Sequence, residues 1–161
     1  MTGQSKKVML SGMVCLDLDG TLLDRTGKIS RRNRESLLAC LNREIQVYFV
    51  TGRPYCFARS LADLVDGRIG VIACSGACYE CGGELITEEL DQEAVRRFTD
   101  CLETSGAHGF FKGLTRFYTH EVYDKRFLYD HHNSWFSRKL KVQSFTGLSY
   151  EQLKEQAVHI H

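Results

Sequence analysis

The sequence has almost no net charge. Its 21 Lys and Arg residues face 20 Asp and Glu over 161 positions, a formal balance of +1, and the two signs are interspersed. No field of one sign arises that would recruit nucleic acid or an anionic membrane by itself, so neither is expected as a partner. Long apolar runs are missing too. None approaches the roughly 20 residues that cross a bilayer, and no membrane span is expected. Internal repeats and low-complexity stretches are absent. An export signal is imitated where Lys6 and Lys7 precede VMLSGMVCL, but Asp17 and Asp19 follow directly and no small-x-small cleavage site lies between. Without such a signal the seven cysteines, odd in number, read as thiols of a reducing compartment. A cytoplasmic location is expected.

What is present fits one ordinary globular domain, or one small domain plus part of another. MVCLDL (13–18) reads as a short buried parallel strand that turns sharply at Gly20. A small hairpin or flap follows around Gly27. Ser30 can cap a helix to about Glu44 whose inner face carries Leu37, Leu38 and Leu41. IQVYFV (45–50) is a second buried strand. Pro54 suits the first turn of a helix with Phe57, Leu61, Leu64 and Val65 inside, and Ile69 to Ala73 is a third strand. Strand, helix, strand, helix, strand at these spacings predicts a Rossmann-like α/β unit with a parallel sheet.

Beyond residue 74 the pattern changes to α+β. A hairpin turns at Gly82-Gly83, a helix spans Asp91 to Glu103, and Phe110 to Val122 is strand-like. A helix is expected over Lys125 to Leu140, then a strand at Lys141 to Phe145, a helix near Tyr150 to Gln156 and a strand at Ala157 to His161. The division falls near 84–88, giving residues 1–86 and 87–161.

The sharpest chemical feature is CLDLDGTLL. Ligands of open α/β sheets gather beyond the carboxyl ends of the strands, which is where Asp17 and Asp19 fall. Residues two apart in a strand project to one side, and Gly20 lets the chain turn so that amide N–H groups can face an anion. Two carboxylates there can hold Mg²⁺ and divide phosphoryl transfer, one attacking phosphorus while the other protonates the departing oxygen. An acidic pair alone often merely ends a strand. Here a second strand ends in Thr51-Gly52-Arg53, whose hydroxyl and amide would emerge beside the aspartates, suited to a phosphoryl oxygen.

With these residues in view, the sequence resembles the haloacid dehalogenase superfamily of phosphatases. DLDGTLL is similar to its first motif, FVTGRP to its second, and SGACYECGGELI to the N-G-A-x-x-x-x-x-G-x-x-I stretch leading into the cap of the Cof-type subfamily, with Ser75 where that group usually has Asn. The resemblance is strong over about residues 13–88. It implies a partial Rossmann-like core (1–86) with a partial α+β cap (87–161), and an Mg²⁺-dependent phosphomonoester hydrolase acting on a small phosphorylated metabolite. Asp17 would be the nucleophile forming an aspartyl-phosphate and Asp19 the general acid/base. Asp17, through its carboxylate, and Asp19, through its carbonyl, would be the metal ligands, and Thr51 and Gly52 would orient the phosphoryl group.

The resemblance also implies a catalytic Lys and a G-D-x-x-N-D-like acidic motif after the cap, and residues 88–161 contain no counterpart; Lys112, Lys125, Lys139, Lys141 and Lys154 all fall in the cap pattern. The chain is therefore expected to end inside the cap. That leaves 13–18 as an exposed sheet edge through which self-association is expected. The alternative function is a catalytically incomplete member acting as a binding or structural module. Cys74, Cys78 and Cys81 have the spacing of a cluster-binding loop, but buried thiols are the expected reading. His108, His120, His131 and His132 read as surface or packing residues. Arg116, Tyr118 and Trp135 suit either a substrate-facing role or an aromatic core.

Overall fold

The computed structural model describes residues 12–115, 117–120 and 145–155. The expected helix over 125–140 and strand over 157–161 lie outside them, and of the expected strand at 141–145 only Phe145 lies within.

A five-stranded mixed sheet is built from β1 (Met13–Asp17), β2 (Gln46–Val50), β3 (Gly70–Ala73), β4 (Cys78–Cys81) and β5 (Glu84–Thr87), in that spatial order. The first three strands run parallel, with Asp17 opposite Val50 and Val50 opposite Ile72; β4 and β5 add on as an antiparallel hairpin. Helices α1 (Arg31–Leu41) and α2 (Tyr55–Val65) make the crossovers. The parallel core and its connections follow the sequence expectation, because the apolar runs are short and each is followed by a helix-starting signal. Ser30 Oγ accepts from Asn33 N–H at 3.1 Å to cap α1. Pro54 stands just ahead of α2 rather than in its first turn, and its carbonyl accepts from Phe57 N–H.

Of the two readings of 13–18, the buried strand is corrected and the exposed edge agrees with the described residues: Met13, Cys15 and Asp17 are exposed and Val14 and Leu16 half-buried. Among the described residues no strand pairs with the outer edge of β1. The core lies instead between β2, β3 and the two helices, where Val47, Phe49, Val71 and Ala73 meet Leu37, Leu41, Phe57, Leu61 and Val65. Leu18, wholly buried, carries the chain from β1 back into it.

A second, smaller sheet joins β6 (Phe110–Lys112), β7 (Phe117–His120) and β8 (Phe145–Leu148). The strand-like stretch after Phe110 is thus an antiparallel hairpin, with β8 parallel to β7. Helices α3 (Gln92–Ser105) and α4 (Tyr150–Glu155) pack on it through Val95, Phe111 and Leu153. Asp91 caps α3 by accepting from Glu93 N–H at 2.7 Å, and Gly106 ends it in the left-handed region at φ 65°. Lys154 ties α4 to α3 through Asp100, 2.8 Å away. No helix of the described residues is long and apolar enough to cross a membrane.

Candidate active site

The carboxyl ends of β1 and β2 lie side by side, and both motifs leave the sheet there. After Asp17 the chain makes one wide turn, Leu18–Leu22, closed by Leu23 N–H donating to Leu18 O at 2.9 Å. Gly20 takes φ 77° inside this turn, a conformation that costs any residue with a Cβ. Just beyond it, Leu23 bridges Ile29, and Asp24 collects Thr26 N–H, Thr26 Oγ1 and Lys28 N–H to close the expected flap. These bonds, the Thr26 hydroxyl foremost, hold the Asp24 carboxyl below the usual range.

Asp17 is exposed at the strand end. One of its carboxylate oxygens accepts from Thr21 Oγ1 at 3.1 Å, and the other has no hydrogen-bond partner among the described residues. Thr51 stands one residue past Val50, the register partner of Asp17. Its hydroxyl is buried and accepts from Arg53 N–H at 3.1 Å, while its own N–H donates to Ile72 O. Gly52 is exposed beside it. Asp17, Thr51 and Gly52 therefore stand at the carboxyl ends of neighbouring strands.

Asp19 is placed differently. Both of its oxygens accept from Arg53, Oδ2 from Nε at 2.6 Å and Oδ1 from Nη2. The Arg53 guanidinium lies 4.2 Å above the Phe57 ring, so the arginine is stacked on one face and forked onto Asp19 along its edge. Sequence reasoning read Arg53 only as part of a motif; the pairing spans 34 residues and no local pattern announces it.

Two further residues come to Gly52. Ser75 N–H donates to Thr51 O at 3.2 Å, and Cys74 and Ser75 both lie in the left-handed region, at φ 51° and 60°. Lys112, from β6, donates to Ser75 Oγ at 3.1 Å.

The cysteine triplet does not converge. Cys74 and Cys78 are buried, but Cys81 is exposed on the hairpin, which corrects the expectation of buried thiols there. Burial pushes the Cys78 thiol up to about 12, with Cys74 adding to it, and raises that of Cys74. Among the described residues no group of three His, Cys, Asp or Glu side chains is placed to hold a metal. His120 stacks on Tyr150, ring centres 4.0 Å apart, and Tyr118 packs in the second core. Arg116, His131, His132 and Trp135 lie outside the described residues.

A family model of haloacid dehalogenase-like hydrolases matches residues 14–157. A 5-amino-6-(5-phospho-D-ribitylamino)uracil phosphatase of Bacillus subtilis (strain 168) is 37% identical over 90 residues, 55% of this chain and 31% of that protein. Among solved structures, a haloacid dehalogenase-like hydrolase from B. subtilis superposes with a TM-score of 0.74 at 20% identity, over 92% of this chain and 58% of its own. A HAD subclass IIB sugar phosphatase superposes with a TM-score of 0.69 at 23% identity, over 92% and 55%. The chain thus spans about half the length of the solved structures it matches and about a third of the curated relative.

Proposed function

This chain belongs to the haloacid dehalogenase-like hydrolase family, and from that premise we propose that it serves hydrolysis of a small phosphate monoester through an aspartyl-phosphate on Asp17. Residues 1–86 are then the N-terminal part of the catalytic core and 87–161 cap. The observation that carries the reading is the exposed Asp17 carboxylate with one oxygen unengaged among the described residues, at a strand end whose neighbour presents Thr51 and Gly52. Asp17 attacks phosphorus as the ester P–O bond breaks, and Asp19 protonates the departing oxygen. Water then attacks the aspartyl-phosphate, its proton passing to Asp19, and Asp17 is regenerated. The Thr51 hydroxyl and Gly52 amide hold phosphoryl oxygens through both steps. Two of the three relatives named above are called phosphatases, one of 5-amino-6-(5-phospho-D-ribitylamino)uracil and one a sugar phosphatase, which supports a small phosphorylated metabolite here.

Mg²⁺ fits the donor set, since Asp17 and the Asp19 carbonyl are hard oxygen ligands and Mg²⁺ is commonly held by one or two carboxylates plus substrate phosphate. When bound, it would offset repulsion between the nucleophile and an anionic ester. A cytoplasmic setting belongs to the same proposal, in keeping with seven free cysteines.

One observation favours a second reading, phosphoester binding without turnover: Arg53 engages both oxygens of Asp19, and a carboxylate so held is not presented to a leaving group. Hydrolysis of an aryl phosphate separates the two. Asp17→Asn is expected to lower turnover by at least about 100-fold. Near-normal turnover in that variant would refute the nucleophile assignment, whereas saturable binding with no turnover in the wild type would favour the second reading.

A further inference from the structure

A phosphoryl group beside Asp17 brings anion to anion and calls for positive charge. The obvious cation of the motif, Arg53, is paired with Asp19 before any ester arrives. A second cation arrives from the other sheet. A Cβ added to Gly52 would stand 3.5 Å from Lys112 Nζ and 3.4 Å from Ser75 Oγ, so both groups sit over the glycine that follows Thr51. Their placement is enforced from both sides. Two residues past Lys112, Leu114 packs on the first core and its carbonyl accepts from Cys56 N–H at 2.9 Å, fixing β6 to the first turn of α2. Ser75 is held in the left-handed region beside Cys74, a costly conformation for residues with a Cβ that persists only where the surroundings fix it. The ammonium has three N–H groups, and Ser75 takes one, leaving two for an incoming anion. Lys112 and Ser75 also line a cavity shared with Phe98 and Phe110.

We propose that Lys112 and Ser75 are phosphate ligands of this site, supplying from the second sheet the positive charge and hydroxyl that share the phosphoryl group with the Gly52 amide. The proposal rests on the reading of Asp17 and Thr51 as a phosphoryl site. Lys112 lies 60 residues from Gly52 in sequence and acts only because β6 docks against the 74–75 turn.

Inorganic phosphate, titrated into this chain and followed by its ³¹P resonance, tests it, with circular dichroism confirming the fold of each variant. Lys112→Gln is expected to weaken phosphate binding about tenfold and Lys112→Arg to retain most of it. Ser75→Ala, which leaves β6 untouched, is expected to weaken it severalfold. Thr51→Val serves as the reference for the underlying site. Wild-type affinity in Lys112→Gln or in Ser75→Ala, with a loss in Thr51→Val, overturns the Lys112 proposal and leaves the phosphoryl site standing. Absence of phosphate binding by the wild type overturns both.

Discussion

Glu80 is the residue whose loss should loosen the site without touching it. From β4 its carboxylate accepts from Tyr55 Oη at 2.6 Å, from Arg59 Nη1 at 3.0 Å and from Val71 N–H at 3.2 Å, joining α2, β3 and the hairpin at one point. Arg59 and Glu80 side chains are only 19% and 22% exposed, so water replaces these bonds poorly. In Glu80→Ala, Arg59 keeps Asp63 at 2.8 Å and Ile69 O at 2.7 Å, which spares the full cost of a stranded charge. Val71 N–H, on a wholly buried residue, is left without its acceptor, and Tyr55 Oη must turn elsewhere. An unsatisfied buried group costs about 1–3 kcal/mol and a lost charge-assisted bond a similar amount. With Arg59 partly re-satisfied, the expected loss is about 2–4 kcal/mol. Urea denaturation measures it, as a fall in midpoint at unchanged slope. Glu80→Gln keeps acceptors for Val71 and Tyr55 and should lose about half as much. Because Tyr55 directly follows the Thr51–Pro54 segment, the Cys56 amide should also exchange faster in Glu80→Ala. A change within about 0.5 kcal/mol, the range of ordinary surface substitutions, would show that the carboxylate does not join the three elements.

Two further outcomes are expected. Burial first, and the Glu80 hydrogen bond second, raise the Tyr55 phenol to about 12, against about 10 in an unfolded chain. Its contribution is therefore fully present below pH 10 and lost as pH rises through 12, so Tyr55→Phe should flatten that part of the stability profile relative to wild type, and identical alkaline profiles would contradict the contact. At Gly70, the register partner of Tyr48, an added Cβ would fall 2.6 Å from Tyr48 Cδ1 and 2.8 Å from Cζ. Gly70→Ala should cost about 1–3 kcal/mol by displacing the ring, and much less in a Tyr48→Ala background; an equal cost in both would refute the clash.

The parallel core was legible because its signals are local. IQVYFV and the run to Ala73 are short apolar stretches between helix caps and turns, and Gly82-Gly83 marks the β4–β5 hairpin on its own. Asp17, Thr51 and Gly52 could be brought together on paper because parallel strands joined by crossover helices place their carboxyl ends in one row. What the sequence could not reveal depends on contacts between distant segments. Cys81 parts from Cys78 because three steps along a strand reverse the face, whatever the spacing suggests for a loop. Lys112 looked like one more cap lysine, since nothing around it encodes the docking of β6 against Ser75.

Arg53 raises the same issue for the proposed chemistry. The segment proposed to cradle the phosphoryl group also ends in the guanidinium that holds the proposed proton donor, so under that proposal binding and proton delivery are coupled through one turn of chain. Asp19 can protonate a leaving oxygen only after Arg53 releases it, and the Arg53–Asp19 pair is exposed enough, at 33% and 53%, to exchange partners at small cost. An arriving anionic ester offers Arg53 a competing acceptor at the same place and frees the carboxylate as it binds. In this scheme Lys112, of whose three N–H groups Ser75 takes one, holds the phosphate together with Arg53. The two cations then have different tasks, one attracting the ester and the other governing when the acid becomes available.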